Sequence, residues 1–293
     1  MSRAENGARF VQAGGVRLHL IDLPGGHPPL VLLHGLSANA HEFGGLIAAG
    51  LNPTFRVIAP DLRGRGRSDR PATGYRMADH ARDILALLGE LGLDRVVLGG
   101  HSFGAYLAIY IAAMHPERVS RLIVIDAALR LHPRVGEMLR PSLARLERTS
   151  PSVAAYLDEV RGAPYLDGAW DPAIEGYYRA EIVEEADGSA RSSTSAAAIA
   201  QALEGVGAEP WGDLVKRVTQ PALLINAVGP YGPPGSIPLV SEEYARETAD
   251  AIPDCRYVQV PGNHLTMVFG EGAAAITREI TEFVRGDGGA RGG

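Results

Sequence analysis

Val96-Val97-Leu98-Gly99-Gly100-His101-Ser102-Phe103-Gly104-Ala105-Tyr106-Leu107-Ala108 is the stretch on which the fold turns. A short valine-rich run on one side reads as a strand buried on both faces, and the Ala-rich run on the other, continuing to Met114, reads as a buried helix. A strand that turns into a helix within a residue or two holds the turning serine in a strained conformation and needs neighbours almost without side chains. Gly100 and Gly104 supply that room. The pattern Gly-x-Ser-x-Gly thus places the Ser102 hydroxyl above a sheet, at a helix N-terminus where backbone N–H groups can receive an oxyanion.

Outward from this turn, the chain alternates strand and helix. Val16 to Leu23 alternates apolar and polar residues as an early, half-exposed strand; Leu30 to Leu33 and Phe55 to Pro60 are buried strands. Met77, Ala81, Ile84, Leu85, Leu88 and Leu91 recur at helical spacing with Gly92 as a stop, and Leu122 to Ile125 is the next strand. That rhythm predicts a parallel sheet with crossover helices. It breaks between Asp126 and Pro221, where the residues far exceed what a crossover requires. Helical patches at Val153 to Val160 and Ala196 to Leu203 make this an inserted, mostly helical cap. Ala222 to Ala227 (strand), Glu242 to Ile252 (helix), Arg256 to Val260 (strand) and Ala273 to Val284 (helix) then resume the rhythm. The expected division is a core of residues 1–126 and 214–285, a cap over 127–213, and a flexible Gly-rich tail over 286–293.

The 293 residues, 46% hydrophobic, are enough for one large core. A net charge of −6 argues against nucleic acid or an anionic membrane as partner. The single cysteine, Cys255, excludes an internal disulfide and a Cys-based zinc site, and no histidine pair has metal spacing. No apolar run resembles a signal peptide or a membrane span, so a cytoplasmic protein is expected, with a homodimer left open.

Ser102 needs a base, and reactive groups in open parallel sheets gather beyond the carboxyl ends of the strands. Of nine histidines, His264 alone lies just after the last strand in an irregular loop, Gly262-Asn263-His264. His115 precedes a proline at a helix end, His80 is placed on a solvated helix face, and His101 should point away from the neighbouring serine. Together with His34-Gly35 and Asp61-Leu62-Arg63-Gly64-Arg65-Gly66-Arg67-Ser68, these pieces make the chain resemble the α/β-hydrolase fold enzymes from about Leu18 to Val284. The resemblance implies a mostly parallel central sheet flanked by helices, and oxyanion donors at the backbone N–H groups of Leu36 and Phe103.

Family enzymes usually carry the triad acid after the strand matching Ala222 to Ala227, yet Val228 to Ser241 contains no carboxylate. A minority, including zearalenone lactonases and some haloalkane dehalogenases, carry it one strand earlier. Asp126 stands there, closing an apolar strand where an ionised group needs a partner. Glu242 and Glu243 are the alternatives. The Asp61 to Ser68 segment reads as structural, its charges pairing with one another. No P-loop Lys-Ser or Lys-Thr follows it, and serine at the elbow disfavours the Asp-based chemistry of dehalogenases and epoxide hydrolases. Pocket candidates are His34, Gly35, His101, Trp170, Trp211 and Tyr231. Residues 127–213 hold 14 acids and 8 arginines, a roof unsuited to a polyanion.

The expectation is a cofactor-free serine hydrolase, its catalytic residues Ser102, His264 and Asp126, acting on a small to medium, neutral and fairly apolar ester or lactone. A carbon–carbon bond hydrolase of the same fold and a ligand-binding protein that has lost the chemistry are the alternatives.

Overall fold

The computed structural model describes residues 7–286 apart from Asp167 and Pro234. The tail expected over 286–293 therefore lies outside them, but for Gly286. Eleven strands occur among the described residues: β1 (Ala8–Ala13), β2 (Val16–Leu23), β3 (Leu30–Leu33), β4 (Val57–Pro60), β5 (Val96–His101), β6 (Val119–Ile125), β7 (Thr149–Ser150), β8 (Ile182–Glu184), β9 (Ala190–Ser192), β10 (Ala222–Ala227) and β11 (Cys255–Val260). Eight of them form one sheet in the order β1-β2-β4-β3-β5-β6-β10-β11. β1 and β2 are antiparallel additions; from β4 to β11 every pairing is parallel.

Both faces of this sheet are covered, which is why its central strands read as unbroken apolar runs. Alternate side chains feed two cores. Leu30, Leu32, Ile123, Ile125, Leu223 and Ile225 belong to one, Val31, Leu33, Leu98, Leu122, Val124 and Leu224 to the other. The longer helices are α1 (Met77–Glu90), α2 (Phe103–Met114), α3 (Val135–Ala144), α4 (Val153–Arg161), α5 (Pro172–Ala180), α6 (Ala196–Gly207), α7 (Glu242–Ala251) and α8 (Gly270–Arg285). None of the described helices is long and apolar enough to cross a membrane.

One local expectation fails and another is extended. His80 is not solvated but 1% exposed, because it shares the α1 stripe of Met77, Ala81 and Ile84 and packs edge-on against Phe103. Residues 127–213 hold more than helices, since β7, β9 and β8 form a small antiparallel sheet there. Strands of two or three residues are too short to show a period of two.

The Asp61 to Ser68 segment is structural in placement, though its charges look outward rather than to one another. Asp61 accepts from Ala40 N–H (2.7 Å) and Arg67 N–H (2.9 Å) and pairs with His19 (2.8 Å). Burial works against ionising this carboxyl, but His19, His34 and the Arg67 N–H together outweigh it and hold Asp61 below its ordinary range. Arg63 makes a forked pair with Asp83 (2.6 and 2.5 Å), fixing α1 to the loop after β4. Both residues are buried, so removing one partner strands a charge. Asp83→Ala is expected to lower the unfolding free energy by about 3–5 kcal/mol in urea titrations. The double replacement Arg63→Met with Asp83→Leu should recover most of that loss.

Candidate active site

The register of the sheet sets the site. His101 of β5 pairs with Ile125 of β6, and Ile125 with Ile225 of β10. One residue further along these parallel strands stand Ser102, Asp126 and Asn226. Ser102 N–H donates to the Ile125 carbonyl (2.9 Å), and Asp126 N–H to the Ile225 carbonyl (2.7 Å), so the ladder continues into this row. Ser102 (φ 53°) and Asp126 (φ 49°) are the two described non-glycine residues with positive φ, a conformation that persists only where the surroundings impose it. At Ser102 the cause is the turn itself. A Cβ on Gly104 would lie 1.9 Å from the Leu33 carbonyl oxygen, and one on Gly100 would lie 2.1 Å from that of Gly104.

His264, in the loop after β11, joins the row. Its Nδ1 lies 2.6 Å from Asp126 Oδ2 and its Nε2 3.0 Å from Ser102 Oγ. With the proton on Nδ1, donated to Asp126, Nε2 is free to accept from the serine hydroxyl. The other Asp126 oxygen accepts from the Asn226 side-chain amide and from Ala227 N–H, both at 2.9 Å. Thus the strand that carries no acid still serves it, through an amide. Tyr257 OH donates to Asn226 Oδ1 (3.0 Å) and holds that amide in turn. Glu242 and Glu243 are not at the site; they pair with Arg246 and Arg130 at the surface.

Ser102, Asp126 and His264 line a cavity with ≈ 1020 Å³ of empty space, part of it open to solvent. Leu36 and Phe103 line it too, and neither backbone N–H has a hydrogen-bond partner among the described residues. Behind them lies Arg65, wholly buried and without a carboxylate partner among the described residues. It donates from Nε to the Leu36 carbonyl (3.0 Å) and from Nη1 to that of Arg63 (2.8 Å), and its guanidinium lies 5.2 Å over the Phe103 ring. Burial lowers its pKa to about 9, which leaves it charged at neutral pH. One cation therefore touches both residues whose N–H groups are free.

Of the expected pocket residues, Gly35, His101 and Tyr231 line the cavity. His34, Trp170 and Trp211 do not. His34 is fully buried beneath the turn, accepting from Leu62 N–H at Nε2 (2.9 Å) and reaching the Gly35 carbonyl with Nδ1 (2.8 Å). Trp170 stacks on Tyr178 and under Arg161 at the outer face of the inserted segment. Trp211 packs against Tyr106 and donates to the Val206 carbonyl. Trp211 fills space between elements, as large aromatics in packed segments usually do, whereas Trp170 is half-buried beside a surface depression away from Ser102.

His101 is held through Nδ1 by Glu42 (3.0 Å), whose second oxygen accepts from Gly35 N–H (2.9 Å). Sequence reasoning missed Glu42, which follows no periodic pattern. Burial opposes charge on His101, but Glu42, with Asp126 and the His264 backbone, outweighs it and raises the pKa above the ordinary value. The His101 ring lies 4.6 Å from that of His264. Burial lowers His264, and the charge on His101 lowers it further, against the pull of Asp126. A base with a lowered pKa stays neutral as the pH falls below 6.5. The acid limb of kcat/KM for a 4-nitrophenyl ester is therefore expected below pH 6.5, and His101→Gln should move it upward. A limb that stays in place in His101→Gln would contradict the coupling.

Comparison with known proteins agrees with this architecture. The family model for the alpha/beta hydrolase fold matches residues 28–271. The 2-(acetamidomethylene)succinate hydrolase of Mesorhizobium japonicum is 31% identical over 262 residues, 87% of each chain. The crystal structure of E-2-(acetamidomethylene)succinate hydrolase superposes with a TM-score of 0.80 at 28% identity, over 94% of this chain and 98% of that one. A thermophilic esterase from Thermogutta terrifontis gives 0.71 at 25% identity, over 95% and 98%. By sequence and by fold alike, the chain belongs to the alpha/beta hydrolase fold family.

Proposed function

We propose that this hydrolase is a serine hydrolase that cleaves a carboxylic ester or lactone through an acyl-enzyme. The observation that carries the reading is the unbroken chain Asp126–His264–Ser102 beside two backbone N–H groups free to bind an oxyanion. His264 Nε2 takes the Ser102 proton as Oγ attacks the acyl carbon. The carbonyl oxygen becomes an oxyanion and accepts from Leu36 and Phe103 N–H; each such donor contributes on the order of 3 kcal/mol to the transition state. Asp126 stabilises the imidazolium. His264 then protonates the leaving oxygen, and in the second half it deprotonates the water that frees the acid and regenerates Ser102.

This scheme needs no cofactor and no group beyond the chain itself. Residues 127–213 act in it as a cap: Leu131, Val135, Leu139, Leu143, Leu203 and Val206 give the cavity an apolar wall above Ser102, which suits a small or medium organic acyl compound. The relative from Mesorhizobium japonicum supports a second reading. The compound in its name carries an acetamide, and the same residues would transfer an acyl group from nitrogen, with His264 protonating the amine.

A panel of esters, lactones, acetamides and a vinylogous diketone separates these readings. Ester or lactone turnover that vanishes in Ser102→Ala is expected, with Asp126→Asn lowering kcat by about 10⁴-fold. Full activity in Asp126→Asn would sink the assignment of the acid. Turnover of the diketone alone would favour carbon–carbon cleavage. Absence of turnover, with Ser102 unlabelled by a fluorophosphonate, would leave a ligand-binding protein.

A further inference from the structure

The cavity holds one arginine that no part of the acyl-transfer scheme uses. Arg145 follows α3 at the start of a single helical turn, is 7% exposed, and lines the same cavity as Ser102. Its Nη1 donates to the Glu181 carboxylate and the Tyr156 hydroxyl, while its Nε is buried without a partner among the described residues. Tyr165, Tyr177 and Tyr178, all buried, also line the cavity, and their hydroxyls have no hydrogen-bond partner among the described residues. The Arg145 guanidinium lies 5.3 Å from the Tyr178 ring centroid, Tyr177 packs edge-on against Tyr178 at 4.7 Å, and Tyr165, stacked on Tyr231, lines the same cavity.

Donors predominate in this cluster, although Glu181 Oε2 is buried without a partner among the described residues and a phenol hydroxyl can also accept. Arginine has five N–H donors and no acceptor, and here one nitrogen carries both hydrogen bonds that the side chain makes. Burial, then the negative charge of Glu181, pushes Tyr177 well above its ordinary pKa; Tyr178 is pushed up in the same way, chiefly by burial, so both keep their protons. Glu181 is fully buried and does not line the cavity. It keeps Arg145 from standing as a bare buried cation, which would be costly, and presents nothing to a ligand. The two acids that do line the cavity, Glu42 and Asp126, are each held by a histidine and by backbone N–H. What this wall offers is one guanidinium and three phenol hydroxyls able to donate. A buried donor without an acceptor costs free energy until a ligand supplies one.

We propose that Arg145, with the hydroxyls of Tyr165, Tyr177 and Tyr178, is a subsite for a carboxylate on the substrate other than the group that is cleaved. A carboxylate has only acceptors at neutral pH, and its planar pair of oxygens matches a guanidinium edge. The inference rests on the acyl-transfer reading and narrows it. The substrate becomes an acyl compound bearing one acid group, in place of the neutral one expected from composition. Net charge misled there, because the many acids of residues 127–213 say nothing of which side chain turns inward. Asp158 and Glu159 are exposed; Arg145 is not.

The test compares mono-4-nitrophenyl adipate, which has a free carboxylate, with 4-nitrophenyl hexanoate, its uncharged counterpart of equal chain length. The expected result is a kcat/KM for the acid ester at least tenfold above that for the neutral one. In Arg145→Gln the ratio should fall roughly 10–100-fold, mainly through KM, as the loss of a charge-assisted contact predicts. Because Arg145→Gln leaves Glu181 buried without its cation, Tyr178→Phe and Tyr177→Phe provide milder variants, in which the ratio should fall a few-fold. An equal preference for both esters in the wild type, or a ratio unmoved by these three changes, overturns the subsite. Calorimetry with glutarate keeps the two readings apart. Binding that is lost in Arg145→Gln, in a protein that hydrolyses neither ester, supports the subsite and fails acyl transfer; ester turnover without glutarate binding or acid preference does the reverse.

Discussion

A single buried carboxylate fixes the geometry on which everything else in the site depends. Asp126 leaves β6 at positive φ, and its two oxygens take three hydrogen bonds, from His264, the Asn226 amide and Ala227 N–H. An ionised group so deep in an apolar sheet persists only when its acceptor sites are filled. Filling them ties together the ends of β6 and β10 and the loop after β11, three separate pieces of chain. The strained backbone at Asp126 and Ser102 is the cost of that convergence, and the continuous ladder beneath the row offsets it. His264 then needs no further device to be aimed at Ser102.

A second layer of buried charges steadies the turns around this row. Asp61 gathers two backbone N–H groups and His19 beneath the loop that leads to Leu36, and Glu42 does the same for Gly35 and His101. Arg65 completes it from behind, touching both Leu36 and Phe103. Each of these groups would be unfavourable alone. Paired as they are, they hold backbone N–H groups in place, although His19 Nε2, His101 Nε2 and Arg65 Nη2 are buried without a partner among the described residues, and rigid N–H groups are what an oxyanion requires.

Much of this was legible in the sequence because it follows from period and from turn chemistry. Leu30–Leu33 and Ala222–Ala227 are strands over the very residues that the apolar runs delimit. The elbow was readable from Gly100 and Gly104, whose lack of a Cβ is a steric necessity. The missing acid after Ala227 pointed to the end of β6, where the structure brings Asp126 to His264. Less legible were partners reached across the fold. Asn226 is a polar residue in a buried strand, a signal that points to a partner without naming it. Glu42 gave no signal, and Arg145 was one of eight arginines in an acidic segment. Trp170 and Trp211 show the converse: aromatic composition does not say which rings face a cavity and which fill a gap between helices. His80 shows that a polar residue within a helix's apolar stripe goes where the stripe goes.

The proposed acyl transfer stands or falls on a covalent bond at Ser102. Rapid-quench mass spectrometry during turnover of 4-nitrophenyl acetate measures it directly. The account predicts a burst of nitrophenol and, within the first turnover, a peptide containing Ser102 heavier by one acetyl group, absent from Ser102→Ala. Hydrolysis at the full steady rate with no acetylated peptide and no burst, or with the acetyl group on another residue, would contradict it.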